Sequence, residues 1–133
     1  MATNVAPLTR DQLAALPDTY FKAVDAMDVD GILAHFADDA TLTVQTDGVT
    51  FNGADEIRRM FTDFTANSKS IFHEIKNIVV EPELGKVATE QSYIGELNDG
   101  NRNDMHNCNF FDVGPDGKFT RVIIWMAGTN PLR

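Results

Sequence analysis

The sequence predicts an α+β domain in which helices cover one face of a curved antiparallel sheet. Two patterns carry that reading. Apolar residues recur at helical spacing only as far as Phe64, and the remainder alternates apolar and polar residues in stretches broken by Gly, Pro, Asn and Asp. Size is the third observation, because 133 residues supply one core and no second. Residues 1–133 are therefore read as a single domain, with 1–8 as a loose N-terminal arm.

The first helix is signalled by Thr9-Arg10-Asp11-Gln12, a capping box in which the Thr9 hydroxyl and the Gln12 amide satisfy free backbone donors. Leu13, Leu16, Tyr20, Val24 and Met27 then form one buried stripe. Pro17 predicts a kink near Leu16, because proline forfeits a helical hydrogen bond. Asp28 or Asp30 caps a short second helix with Ile32, Leu33 and Phe36 inward, ended at Asp38-Asp39. Thr41 to Thr46 alternates, and Asp47-Gly48 supplies the φ > 0 residues of a tight hairpin turn into Val49-Thr50-Phe51. A third helix from Ala54 buries Ile57, Met60, Phe61 and Phe64 and stops at Asn67-Ser68-Lys69. Four strands follow, Ser70 to Glu81, Lys86 to Leu97, Arg102 to Val113 and Phe119 to Ala127, joined by hairpin turns.

A composition of 43% hydrophobic and 23% charged residues is that of a globular chain and excludes intrinsic disorder. The net charge of −9 repels phosphate backbones, so nucleic acid is not the expected partner. The most apolar run, Val122 to Ala127, is far short of the roughly 20 residues that cross a bilayer. Met1 to Pro7 lacks the basic and apolar regions of a secretory signal. Cys108 is the one cysteine, which excludes an internal disulfide framework, and no Cys/His spacing suits structural zinc. Together these predict a cytoplasmic domain that engages neither membrane nor nucleic acid.

Parity along the strands sorts their side chains into two faces. Val87, Thr89, Gln91, Tyr93 and Leu97 share one inner face; Met105, Asn107, Asn109, Phe111 and Val113 share the next; Ile71, His73, Ile75 and Val79 share a third. Burying Gln91, His73, Asn107 and Asn109 without partners would cost about 1 to 3 kcal/mol for each group. A cavity with apolar walls and a few convergent polar groups explains all four, and small-molecule sites are built this way. For the last strand the parity is open: either Val122, Ile124 and Met126 or Ile123 and Trp125 line the cavity. His35 and His106 are read as surface or interface residues, and Cys108, with no helix start or cation beside it, as structural.

In their order and spacing, Tyr20-Phe21-Lys22-Ala23-Val24-Asp25, Phe36-Ala37-Asp38-Asp39-Ala40-Thr41-Leu42, Gly53-Ala54-Asp55-Glu56-Ile57 and Asp116-Gly117-Lys118-Phe119 resemble the nuclear transport factor 2-like superfamily. Within it, the likeness is to the SnoaL-like branch with ketosteroid isomerases, scytalone dehydratase and bile acid dehydratase, and it covers nearly the whole chain. The resemblance implies a cone-like, antiparallel or mixed sheet wrapped around three N-terminal helices, the cystatin-like α+β roll, with a pocket at its wide end. It also implies roles. Tyr20 and Asp25 match the tyrosine and aspartate that such dehydratases place on the first helix, and His73 matches their catalytic histidine, held in one tautomer by the aspartate. Asn107 resembles the pocket asparagine of scytalone dehydratase, and Asn109 falls near the oxyanion-binding aspartate of ketosteroid isomerases. Departures accompany these matches. Val44 stands where ketosteroid isomerases have their proton-shuttling aspartate and scytalone dehydratase a tyrosine. Gln91 replaces the second histidine of scytalone dehydratase. The Arg-x-Asp of limonene epoxide hydrolases would fall on Gln91-Ser92-Tyr93, which disfavours that route to epoxide hydrolysis.

Residues and resemblance together point to a cofactor-independent lyase or isomerase, of dehydratase type and without a metal. Its substrate would be a small hydroxylated carbonyl compound such as a polyketide, terpenoid or steroid-like metabolite. His73, Asp25 and Tyr20 are the candidate catalytic residues. Asn107, Asn109, Gln91, Tyr93, Val44, Phe111 and Trp125 are the candidate substrate contacts. Each has a plainer reading: His73 as a satisfied core histidine, Asp25 as a solvated carboxylate at a helix end, Tyr20 as packing, the amides as one internal network. Two other functions stay open, a non-catalytic small-molecule-binding module, which Val44 supports, and an aldol-type polyketide cyclase. The face carrying Phe110 suggests a homodimer, since such surfaces often pair subunits in this superfamily.

Overall fold

The computed structural model describes residues 7–127 and Leu132. Helix α1 (Arg10–Asp25) starts at the expected capping box: the Thr9 hydroxyl accepts from the Gln12 backbone N–H at 3.1 Å, and the Gln12 side-chain oxygen accepts from the Thr9 N–H at 2.9 Å. Pro17 does not end it. The ring is buried, and Leu13, Tyr20, Phe21 and Val24 bury on both sides of it, so tertiary packing sustains a helix that lacks one internal bond. The expected arm over 1–8 is only partly within view: residues 1–6 lie outside the described residues, and Leu8 packs against the core.

Helix α2 (Val29–Leu33) is capped by Asp28, whose carboxylate accepts from the Gly31 N–H at 3.0 Å. It is shorter than expected. Ala34 and His35 close its last turn, and Phe36 belongs to strand β1 (Phe36–Val44), paired with Phe119, although it is buried as anticipated. Strand β2 (Val49–Asn52) pairs with β1 through Val44 opposite Val49, so the turn runs from Gln45 to Gly48. Of Asp47 and Gly48 only the glycine takes positive φ, 67°, which replaces the two-residue turn predicted from sequence. Helix α3 (Gly53–Ala66) buries Ile57, Met60, Phe61 and Phe64 as its spacing requires.

Strands β3 (Ser68–Glu81), β4 (Lys86–Leu97), β5 (Arg102–Val113) and β6 (Phe119–Trp125) complete a six-stranded sheet in the order β2-β1-β6-β5-β4-β3. Neighbours are antiparallel except β1 and β6, which are parallel, so the sheet is mixed. Register shifts in β1, β3 and β6 bend it, as bulges do, and the curved inner face wraps α1 and α3. One shift overturns a parity expectation. Between Ile75 and Asn77 the extra residue Lys76 flips β3, so Val79 points out at 68% exposure and Val80 takes the inner position opposite Val87. β6 ends at Trp125 rather than Ala127. Among the described residues no helix is long and apolar enough to cross a membrane.

Candidate active site

The end of α1 and the start of β3 meet at the inner face of the sheet. Asp25, the last residue of α1, accepts two hydrogen bonds from His73: the backbone N–H at 2.9 Å on Oδ2 and the ring Nδ1 at 2.6 Å on Oδ1. A carboxylate only accepts, so Nδ1 carries the proton in the neutral ring and Nε2, across the ring, is the free basic nitrogen. The imidazole is clamped between Phe21, at 4.7 Å and 22° between planes, and Tyr93, at 5.2 Å and 30°. Its side chain is 13% exposed and that of Asp25 22%. The reading of Asp25 as a free solvated carboxylate is thereby replaced by a bonded pair.

His73 borders a cavity of about 40 Å³ lined by residues of α1, α3, β3, β4, β5 and β6, and Tyr20, Gln91, Tyr93, Asn107 and Asn109 also contribute to it. Among the described residues nothing hydrogen-bonds the Tyr20 hydroxyl, which burial pushes well above the ordinary phenol range. Burial also raises the Tyr93 phenol, with the Asn103 side chain opposing. The ring of Tyr20 is locked edge-on against Phe36, Phe61, Phe111 and Phe119, at centroid distances of 5.6 to 6.2 Å.

The three amides are wired. The Ala127 N–H donates to Asn107 Oδ1 at 3.1 Å, the Gln91 Nε2 donates to Asn109 Oδ1 at 2.9 Å, and the Thr89 hydroxyl donates to Gln91 Oε1 at 2.7 Å. With both asparagine oxygens engaged, the two Nδ2 groups are left as donors. The cavity therefore offers two amide donors beside the imidazole and the two tyrosine hydroxyls, each of which can donate or accept. Among the described residues no three His, Cys, Asp or Glu side chains converge as metal ligands.

Three expected contacts lie elsewhere. Trp125 sits on the outer face at 40% exposure, edge-to-face with Phe110 at 5.5 Å, because its neighbours Ile124 and Met126 face the cavity. Val44 and Phe111 are fully buried in the core and do not line the cavity. His35, expected at the surface, is half-buried, with Nδ1 on the Gly31 carbonyl and Nε2 on the Thr19 hydroxyl, both at 2.8 Å. Phe21 and Phe64 line the cavity without having been anticipated, whereas Ile124 and Met126 belong to one of the two sets that parity left open, and Leu132 lies beside them. Phe21 was legible as the neighbour of Tyr20, but nothing in the sequence assigns it the face of an imidazole. Phe64 and Leu132 also border a second, outer groove of about 530 Å³, walled by Val49, Phe51 and Met60.

The SnoaL-like domain matches residues 18–122, which include every residue of this site except Ile124, Met126, Ala127 and Leu132. The chain belongs to the SnoaL-like domain family. Among curated proteins none matches it. A protein of Novosphingobium aromaticivorans DSM, provisionally described as an aromatic ring hydroxylase, is 26% identical to this SnoaL-like chain. The match covers 93% of this chain and 96% of that one, at a TM-score of 0.83. The pinacolase BvnE of Penicillium brevicompactum shares the fold at 16% identity and a TM-score of 0.79, over 89% of this chain and 87% of its own. SalBIII, an epoxide hydrolase/cyclase-like enzyme of pyran ring formation in polyether salinomycin, shares it at 18% identity and 0.78, over 88% and 92%.

Proposed function

We propose that this SnoaL-like domain is a cofactor-independent dehydratase, acting in the cytoplasm on a small β-hydroxy carbonyl metabolite. The observation that carries the reading is the Asp25–His73 pair, bonded twice, clamped between two rings and lining the same cavity as Tyr20, Asn107 and Asn109. Nε2 takes the proton α to the carbonyl, and Asp25 stabilises the imidazolium that forms. The carbonyl oxygen, now an enolate, is held by the Tyr20 hydroxyl with Asn107 or Asn109. The enolate electrons close the carbon–carbon double bond, the β carbon–oxygen bond breaks, and the imidazolium returns its proton to the departing hydroxide as water. A cavity of about 40 Å³ holds the reacting atoms, and the apolar remainder of the substrate extends past Leu132 into the outer groove.

The test is turnover of a panel of β-hydroxy ketones, followed by enone absorbance. His73→Ala should lose the general acid–base contribution, about 10²- to 10⁴-fold, with the far-ultraviolet circular dichroism unchanged. A variant that still turns over at the native rate overturns the reading. The binding-module alternative draws on Val44, which is buried in the core and brings no second acid to the cavity. On that reading ligands raise Tm and no panel member reacts. The exposed Phe72, Ile94, Phe110 and Trp125 support a homodimer through the outer sheet face, which sedimentation velocity checks.

A further inference from the structure

We infer that Thr89, which does not touch the cavity, is a positioning residue that makes the cavity a hydrogen-bond donor at Asn109. The inference rests on the cavity being the ligand site, as the proposed function also holds, but not on any reaction there.

Thr89 and Asn109 face each other across β4 and β5, and Gln91 bridges them diagonally; all three are at most 4% exposed. Such a chain of two amides has two polarities. In one, the Thr89 hydroxyl donates to Gln91 Oε1, Gln91 Nε2 donates to Asn109 Oδ1, and Asn109 leaves its NH₂ for the ligand. In the other, both amides are turned over, Gln91 Nε2 donates to the Thr89 oxygen, and Asn109 presents its carbonyl oxygen. The amides alone do not choose, because the two ends of a carboxamide have nearly the same shape.

The hydroxyl chooses. Among the described residues Thr89 has no side-chain hydrogen bond except the one to Gln91. In the turned-over chain its proton would be buried without an acceptor, which disfavours that state by roughly one to two powers of ten. Asn107 needs no such relay, since the Ala127 backbone N–H can only donate and fixes its oxygen directly. The two asparagines thus reach the same polarity by different means, one set by the backbone and one by a side chain two residues removed. The ligand class that fits is one offering two acceptor lone pairs on a carbonyl or enolate oxygen.

The relay is read first without ligand, from the side-chain amide ¹⁵N–¹H signals. In the wild type one Gln91 Nε2 proton should be shifted downfield and protected from exchange, while the Asn109 protons are not. Pyridine N-oxide, an acceptor with no donor, should then move the Asn107 and Asn109 NH₂ signals and bind more tightly than aniline. Thr89→Ser should keep both signatures, and Thr89→Val, which removes the bias between the two polarities, should move part of the protection from Gln91 to Asn109 and reduce the preference for pyridine N-oxide about tenfold. A protected proton on Asn109 in the wild type, or a Val variant with wild-type signals, overturns the inference. A relay that is present in an enzyme that turns over nothing overturns only the proposed dehydration.

Discussion

The sheet carries two histidine–carboxylate pairs, one on each face, and they are not equivalent. On the inner face His73 meets Asp25, with side chains 13% and 22% exposed, a second bond from the backbone and aromatic rings on both faces of the imidazole. On the outer face His106 meets Glu90, at 56% and 36%, with Asn77 as a further donor to the carboxylate. Both have the residue types of a catalytic dyad. In both pairs the carboxylate fixes the tautomer, but only the inner ring is held between two aromatic planes and lines a cavity, so a dyad is made by what surrounds it. Exposed pairs of this kind are screened by solvent and contribute little.

The comparison breaks most decisively on turnover. If the faces differ as argued, the loss in His73→Ala has no counterpart in His106→Ala, which should leave the rate unchanged and stability within about 0.5 kcal/mol. Equal losses would mean that the outer cluster participates. The carboxylates sharpen the contrast one level down. Asp25→Asn keeps the shape but removes the fixed acceptor, freeing the ring to turn; turnover should fall roughly 10- to 100-fold. Stability should fall by about 1 to 3 kcal/mol, because a hydrogen bond to a charged, part-buried group is lost. Urea denaturation of the variant beside Glu90→Gln, which should unfold near the wild-type midpoint at neutral pH, gives the comparison directly.

Tyr20 tests whether the inner face was assembled for packing or for chemistry. Among the described residues its hydroxyl has no hydrogen-bond partner and the side chain is buried, so Tyr20→Phe removes an uncompensated polar group and should leave the protein as stable or more so by up to about 1 kcal/mol. Turnover should nevertheless fall about 10²-fold if the hydroxyl holds the enolate. Alkaline unfolding supplies an independent sign. A phenol raised above its ordinary value of 10.0 favours the folded state below that pH, and the contribution disappears as pH climbs towards the raised value. The wild type should lose stability above pH 10 more steeply than the Phe variant, and parallel curves would place the hydroxyl in contact with solvent.

What the sequence disclosed follows the same division between faces. Alternation placed Gln91, Asn107 and Asn109 inward correctly because β4 and β5 pair in unbroken register, Lys86 opposite Asp112 through Glu96 opposite Arg102. It failed at Val79 because a bulge is one inserted residue whose only trace is geometric. It left β6 undecided because Val122, Ile123 and Ile124 are all buried, so that strand has no polar face to read. Trp125 belongs to one of the two alternatives that parity leaves open, and at the end of β6 it meets Phe110 outside. Phe36 was read as helical because its spacing from Ile32 fits a turn of helix as well as it fits the start of a strand. The relay through Thr89 was invisible for another reason: parity says which way a side chain points, not which end of an amide it presents.

The smallest expected effect belongs to Glu90, and its direction is what matters. Donation from Asn77 first, then from His106, holds its carboxyl below the ordinary 4.5. A depressed acid contributes stability above its unfolded value, and that contribution disappears as pH falls through the lowered folded value. The difference in urea midpoint between wild type and Glu90→Gln should therefore be small at pH 7 and vanish in acid below that value. The pair is exposed, so added salt should shrink the pH 7 difference further, whereas the Asp25→Asn deficit should survive the same salt because its pair is shielded from solvent on both ring faces. A Glu90 effect that resists salt would mean the outer pair is covered in solution, which is the environment a second copy on that face would create.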